Sequence, residues 1–231
     1  MSDSVISYPE LCSREGTTHQ QTMIFGLGRN HSVIFLSLLA NENYRDRLKY
    51  SKTTLVCEGH DAMKRGSCLN PWMVDQPLNH PSGVPTQNGK FHAAAQAARF
   101  GQRLPERVRI YERLSSRIWS YSGVFHLVDS WTERDKFRSV YKFKLIAVEG
   151  DDNLEERVQL NARRRCLIPR DVKLEVWQRD GGKCSICGAT DDLHFAHSRP
   201  FAKYGTAAKA DCVQLRCARQ DHVRTPSSTP S

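Results

Sequence analysis

Cys184-Ser185-Ile186-Cys187, Leu193-His194-Phe195-Ala196-His197 and Val213-Gln214-Leu215-Arg216-Cys217-Ala218-Arg219-Gln220-Asp221-His222 follow one another closely toward the end of the chain. Two thiolates at Cys-X-X-Cys spacing on a tight turn can bind one face of a tetrahedral Zn²⁺, and Cys217 with a following histidine can close the other. Cys184, Cys187, Cys217 and His222 are therefore the candidate metal ligands. Just upstream, Ile168-Pro169-Arg170-Asp171-Val172-Lys173-Leu174-Glu175-Val176-Trp177 reads as a helix. Pro169 suits a first helical turn, and Val172, Val176 and Trp177 give one apolar face. Gly181-Gly182 then ends the helix and turns the chain toward Cys184.

This whole run resembles the HNH endonuclease family. The resemblance implies a small ββα-metal fold in which a hairpin and a helix surround a divalent ion. It also implies that His197 is the general base that activates water. A catalytic Mg²⁺ or Mn²⁺, distinct from the structural Zn²⁺, would then sit against the scissile phosphate. The chain departs from the family pattern. Ala196 stands where the family has a metal-binding aspartate, Cys212 falls near its middle asparagine, and Gln220 and Asp221 fill the positions after Cys217. Asp221 can still bind a hard cation. Descent from a nuclease and present cleavage are thus separate expectations.

Outward from this stretch, 231 residues with 39% hydrophobic content suffice for one large or two small domains with real cores. A formal charge of +9 points to a polyanionic partner, and phosphate contacts supply most of the affinity in nucleic-acid binding. Of eight cysteines, those outside the candidate metal site are scattered, with no secreted-domain pattern. The longest apolar stretch, Val33-Ile34-Phe35-Leu36-Ser37-Leu38-Leu39-Ala40, is too short to span a membrane, and no charged leader precedes an apolar run. A reduced, cytoplasmic protein without membrane contact is the expectation.

In chain order, residues 1–20 are polar, lack periodicity and read as a flexible tail. Met23 to His31 has glycines without phosphate-loop spacing, so a turn or strand start fits better. Val33 to Leu39 is a buried strand or a short helix. Thr53-Thr54-Leu55-Val56-Cys57-Glu58-Gly59 is a strand ending in a glycine turn. Thr86-Gln87-Asn88-Gly89 opens an alanine-rich helix, and strands follow from Val108, from Trp119 and, by alternation of apolar and charged residues, over Ser139 to Val148. Residues 151–168 form a linker that starts acidic and ends in Arg163-Arg164-Arg165, which suits a short helix.

The order Asn43-Tyr44-Arg45-Asp46-Arg47, Cys57-Glu58-Gly59, Asp75-Gln76-Pro77, Thr86-Gln87-Asn88 and Tyr121-Ser122-Gly123-Val124-Phe125 resembles the SRA (YDG) family over residues 21–150, with the middle of the Tyr-Asp-Gly signature changed to serine. The resemblance implies an α+β chain: an SRA-like curved β-barrel with flanking helices, followed by a small zinc-stapled HNH domain over 169–225 and a tail at 226–231. It implies binding to double-stranded DNA carrying modified cytosine, with the base flipped into a pocket. Tyr44 is then the stacking candidate, Asp46 the partner of the cytosine edge, and Glu58 and Gly59 line the facing strand. Thr86, Gln87 and Asn88 would probe the gap left by the base, and Arg109, Arg113, Lys142 and Lys144 are candidate phosphate contacts. The plainer alternative makes Tyr44 a packing residue and Asp46 a solvated partner of its neighbouring arginines.

A modified-cytosine reader joined to an HNH unit looks like the modification-dependent restriction endonucleases of bacteria. That implies a homodimeric hydrolase in the cytoplasm, at the nucleoid. The alternative is a reader that does not cleave, with a degenerate HNH domain, which Ala196, Cys212 and Gln220 favour.

Overall fold

The computed structural model describes residues 3–18, 22–27, 31–36, 48–51, 53–61, 70–135, 137–148, 167–198 and 209–219. Its organising element is β7 (Ile118–Arg134), long enough to pair with three other strands. One edge pairs with β6 (Glu106–Arg113). The other edge is shared: β1 (Ser4–Ser7) takes its first residues and β8 (Ser139–Ala147) takes the rest.

Beyond β6 lie β3 (Ser32–Leu36), parallel to it, and β2 (Met23–Ile24). Beyond β8 lie β5 (Thr54–Glu58) and β4 (Lys49–Tyr50). Beyond β1 lie β9 (Leu193–His197) and β10 (Val213–Cys217). The described strands thus form one ten-stranded mixed sheet.

Alternation along the strands splits the apolar residues between two faces. Ile34, Leu36, Ile110, Phe125, Leu127, Phe143 and Leu145 pack with Phe91, Ala94 and Ala95 of α2 (Gln87–Arg99). Phe91, Phe125 and Phe143 are at most 1% exposed, and burying each contributes about 2–3 kcal/mol. The intervening Val33, Phe35, Tyr111, Trp119 and Tyr121 face the other way, onto Ile6 and Leu11. The ambiguous apolar run at Val33 is therefore a strand, buried on both faces, which is why its sequence shows no alternation.

Residues 1–20, expected as a flexible tail, instead supply β1 and α1 (Tyr8–Glu15). Ser7 caps the helix by accepting the Glu10 N–H, Pro9 sits in its first turn, and Gly16 closes it. A four-residue strand and a two-turn helix are too short to display a period, so pattern reading misses them. Tertiary partners make them stable. Glu15, with no side-chain exposure, accepts from Arg109 at 3.1 Å and from Tyr111 at 2.5 Å and meets His31 at 3.0 Å.

A third cluster packs α3 (Arg170–Arg179) against β9 and β10 through Ile168, Val172, Val176, Phe195, Val213 and Leu215. Leu114, Val5 and Ile118 join the same cluster, and Ser4 pairs with His194 across the strands. The C-terminal unit thus continues the main sheet by way of β1. The outer edge of β10 is covered: Leu215 N–H donates to Asp180 at 2.9 Å, and Arg179 donates to the Val213 carbonyl at 2.8 Å. The linker expected at 151–168 lies outside the described residues, save for the buried Leu167 and Ile168. Among the described residues, no helix is long and apolar enough to cross a membrane.

Candidate functional site

The turn that follows β5, Glu58-Gly59-His60-Asp61, is where the expected base-facing groups converge. Gly59 donates its N–H to the Tyr141 carbonyl at 2.9 Å, and its own carbonyl accepts from Gln76 Nε2 at 2.9 Å. Asn88, 1% exposed, takes both backbone groups of His60: Oδ1 accepts its N–H and Nδ2 donates to its carbonyl, each at 2.8 Å. Close approach requires the glycine, since a Cβ at position 59 would stand 2.5 Å from Asn88 Oδ1 and 2.9 Å from Gln76 Oε1. Gly59→Ala is expected to cost about 1–3 kcal/mol, read as a lower denaturant midpoint at unchanged slope.

Thr86, Gln87 and Asn88, expected to probe the gap left by a base, hold protein backbone. Thr86 caps α2, accepting the Gly89 N–H at 3.1 Å and donating to the Pro77 carbonyl at 2.8 Å. Gln87 Oε1 accepts the Phe25 N–H at 2.8 Å. Glu58, expected on the pocket wall, is 8% exposed and pairs with Lys142 at 2.6 Å and Arg138 at 3.3 Å. Arg138 also pairs with Asp61 at 2.5 Å. Removing these carboxylates from water would be costly without such partners.

That pairing removes Lys142 from the candidate phosphate contacts, as the Glu15 pair does for Arg109. Arg113 donates to the Ser115 carbonyl at 3.1 Å and the Ser116 carbonyl at 3.3 Å, while Lys144 is half-buried opposite Val56. Tyr44 and Asp46 lie outside the described residues.

His60, which sequence reading passed over, closes the turn from behind. Its Nε2 accepts the Met23 N–H at 2.8 Å, a role that needs the neutral ring. Burial holds its pKa down to about 4 from 6.5, against the pull of Asp61. The unfolded chain therefore binds this proton first as pH falls. Stability present above pH 6.5 is expected to decline by about 3 kcal/mol on reaching pH 4. Glu15 adds a second decline: burial raises its pKa, but bonds from His31, Tyr111 and Arg109 outweigh that and hold it at about 2. Its contribution persists to pH 4.5 and is lost below. Urea unfolding between pH 7 and 4.5 should show His60→Gln starting lower but varying less than the native protein; equal slopes would contradict this assignment.

The cysteine cluster was legible. The sulfur atoms of Cys184, Cys187 and Cys217 lie within 4.8 Å of one another, and Cys187 and Cys217 are 3.6 Å apart. Burial raises the Cys184 thiol, but the N–H groups of Cys187, Ile186 and Cys217 outweigh it and hold the pKa at about 6. Three clustered sulfurs, one stabilised as thiolate, fit a soft or borderline metal ion. His222 and Asp221, the other expected ligands, lie outside the described residues. His197 and Ala196 end β9, opposite Val213 and Gln214. The alanine methyl offers no ligand beside that histidine. Among the described residues, the cysteines are the one cluster of metal-ligating groups.

Sequence reading also missed a polar hub between the two units. A bulge sets Ile110 opposite Gly123 and Tyr111 opposite Tyr121, leaving Ser122 as the extra residue, and Gly123 takes φ +95°. Lys173 of α3, 1% exposed, donates to Ser122 Oγ at 2.9 Å and pairs with Glu112 at 2.7 Å and Asp3 at 2.8 Å. Glu112 also accepts the Tyr50 hydroxyl at 2.6 Å. Burial lowers the Lys173 pKa, but Asp3 and Glu112 outweigh it and leave it raised.

No protein-family model and no curated protein matches the chain. Among solved structures it is similar to KRYPTONITE in complex with mCHG DNA and SAH, at TM-score 0.44 and 16% identity over 67% of this chain and 33% of that one. It thus spans about a third of that protein's length. It is also similar to the SUVH5 SRA bound to fully hydroxymethylated CG DNA, at TM-score 0.43 and 20% identity over 64% of this chain and 89% of that one. SUVH9 is a further match, at TM-score 0.36 and 18% identity over 66% of this chain and 29% of that one.

Proposed function

We propose that this chain binds double-stranded DNA and reads modified cytosine, and that its C-terminal unit is a metal-stapled scaffold of HNH ancestry. The observation that supports the reading is the densely hydrogen-bonded turn at Glu58–Asp61, held by Gln76, Asn88, Tyr141 and Arg138. A base packing on such a turn meets a surface with little freedom left to lose on binding. The order of the SRA-like motifs in the sequence and a charge of +9 agree with it. Tyr44 and Asp46, in the stretch that runs into β4, are the proposed stacking and edge-recognising residues.

Cys184, Cys187 and Cys217, with His222 as fourth ligand, are the proposed holders of a structural Zn²⁺, which would supply a fixed tetrahedral staple between α3 and β10.

A second reading is phosphodiester hydrolysis by a homodimer, and the position of His197 at the strand end of the paired β9–β10 favours it. His197 would take the proton from water and Asp221 would supply a carboxylate toward a Mg²⁺ or Mn²⁺. Ala196 argues against efficient cleavage. Matched plasmids with and without modified cytosine, incubated in Mg²⁺ or Mn²⁺ with the native chain and Ala196→Asp, separate the two. A modification-dependent band shift without nicking is expected. Nicking of modified plasmid by the native chain would establish the nuclease, and absence of any preference would sink the reader.

A further inference from the structure

The hub joins three parts of the fold that are remote in sequence. Lys173 comes from the unit that carries the cysteine cluster, Asp3 from the turn just ahead of β1, and Glu112 and Ser122 from the central pair β6 and β7. Arg170, one turn before Lys173 and 3% exposed, donates to the Arg113 carbonyl at 2.7 Å, so α3 sends two basic side chains into the main sheet. With Asp3 and Glu112, the hub has two cations and two anions. Each partner's burial depends on the others.

One arm leads toward the base-reading side. Glu112 divides its two oxygens between Lys173 and the Tyr50 hydroxyl. Tyr50 is the last residue of β4, paired with Leu55, and β5 then runs directly into the Gly59 turn. In sequence, β4 also follows the stretch containing Tyr44 and Asp46. β4 has only two residues and one strand partner, so its backbone pairing is weak support. The Tyr50–Glu112 bond, at 2.6 Å to a carboxyl group that Lys173 also holds, is a further anchor.

We propose that Lys173 is a positioning residue for base recognition: by fixing Glu112 it fixes Tyr50 and β4, so the C-terminal unit sets the discrimination between modified and unmodified DNA without touching either. This rests on the reading of the chain as a DNA reader. Lys173 places the carboxylate, the carboxylate places the phenol, and the phenol fixes the end of a two-residue strand that is otherwise held by its pairing with β5 and by Leu48 and Tyr50 packing on the core.

Two mild variants test it. Tyr50→Phe removes one hydroxyl, and Ser122→Ala removes one of the three contacts of Lys173 while leaving both carboxylates paired. Duplex affinities with and without 5-methylcytosine would be measured well below each variant's melting temperature, with amide exchange over Leu48–Glu58 alongside. Tyr50→Phe should reduce the ratio of the two affinities by about tenfold while leaving affinity for unmodified DNA unchanged, with faster exchange in β4. Ser122→Ala should move both readouts in the same direction, less far. A merely structural role would lower the melting temperature and leave the ratio alone. A native preference retained by both variants overturns this inference alone; a native protein without preference overturns it together with the function on which it rests.

Discussion

Lys173→Ala is expected to destabilise the protein by about 3–5 kcal/mol, because it leaves two buried carboxylates, Asp3 and Glu112, without their cation. Exposure of 1% for Lys173 puts the pair in the regime where desolvation dominates, unlike exposed pairs such as Arg219–Asp191 at 3.6 Å. Most of the loss is a penalty for orphaned charge. Adding Asp3→Asn and Glu112→Gln to the lysine variant should therefore recover much of it. Urea denaturation of the single and triple variants checks this. A loss below about 1 kcal/mol for Lys173→Ala would mean that the hub is open to water.

Metal removal is expected to have the larger effect. The cluster of Cys184, Cys187 and Cys217 ties the loop after α3 to the end of β10, and the apolar residues around it form a core distinct from the cluster that packs α2. Structural zinc sites contribute apparent binding energies on the order of 10 kcal/mol, so if the proposed zinc is bound, a unit of this size is expected to lose its packing when the ion is removed. Chelation, or Cys184→Ser, should release about one equivalent of zinc and lower the melting temperature in a chelator-dependent way. Because β9 pairs with β1, the loss should reach β1 as faster amide exchange at Ser4–Ser7. An unchanged melting temperature after chelation, with no zinc released, would contradict the staple.

Much of this fold was legible because its long elements obey one rule each. The alanine-rich helix starts at its Thr86 cap, the alternating run from Ser139 is β8, and the helix before the cysteines spans Arg170–Arg179. The cysteine cluster was legible from the Cys-X-X-Cys spacing together with the helix and Gly181-Gly182 turn before it and the later Cys217. The N-terminal segment was not, since its order comes from β7 and from Glu15 partners distant in sequence. Nor was the hub. Lys173 reads as an ordinary solvated helix cation, and only tertiary placement reveals its two carboxylates. At the Gly59 turn, the sequence located the right residues but not their roles, because a polar side chain that holds backbone from within looks the same in sequence as one that faces a ligand. Thr86, Gln87 and Asn88 show this, whereas His60, also needed for the turn, has no sequence pattern that announces it.

The most direct measurement is the affinity of the native chain for two short duplexes that differ only in one 5-methylcytosine, followed by fluorescence anisotropy at fixed salt. The account predicts a preference of at least about tenfold for the modified duplex, surviving as added salt weakens binding to both. Equal affinity for the two duplexes across the salt series would contradict it, and would leave a basic protein that binds DNA by charge alone.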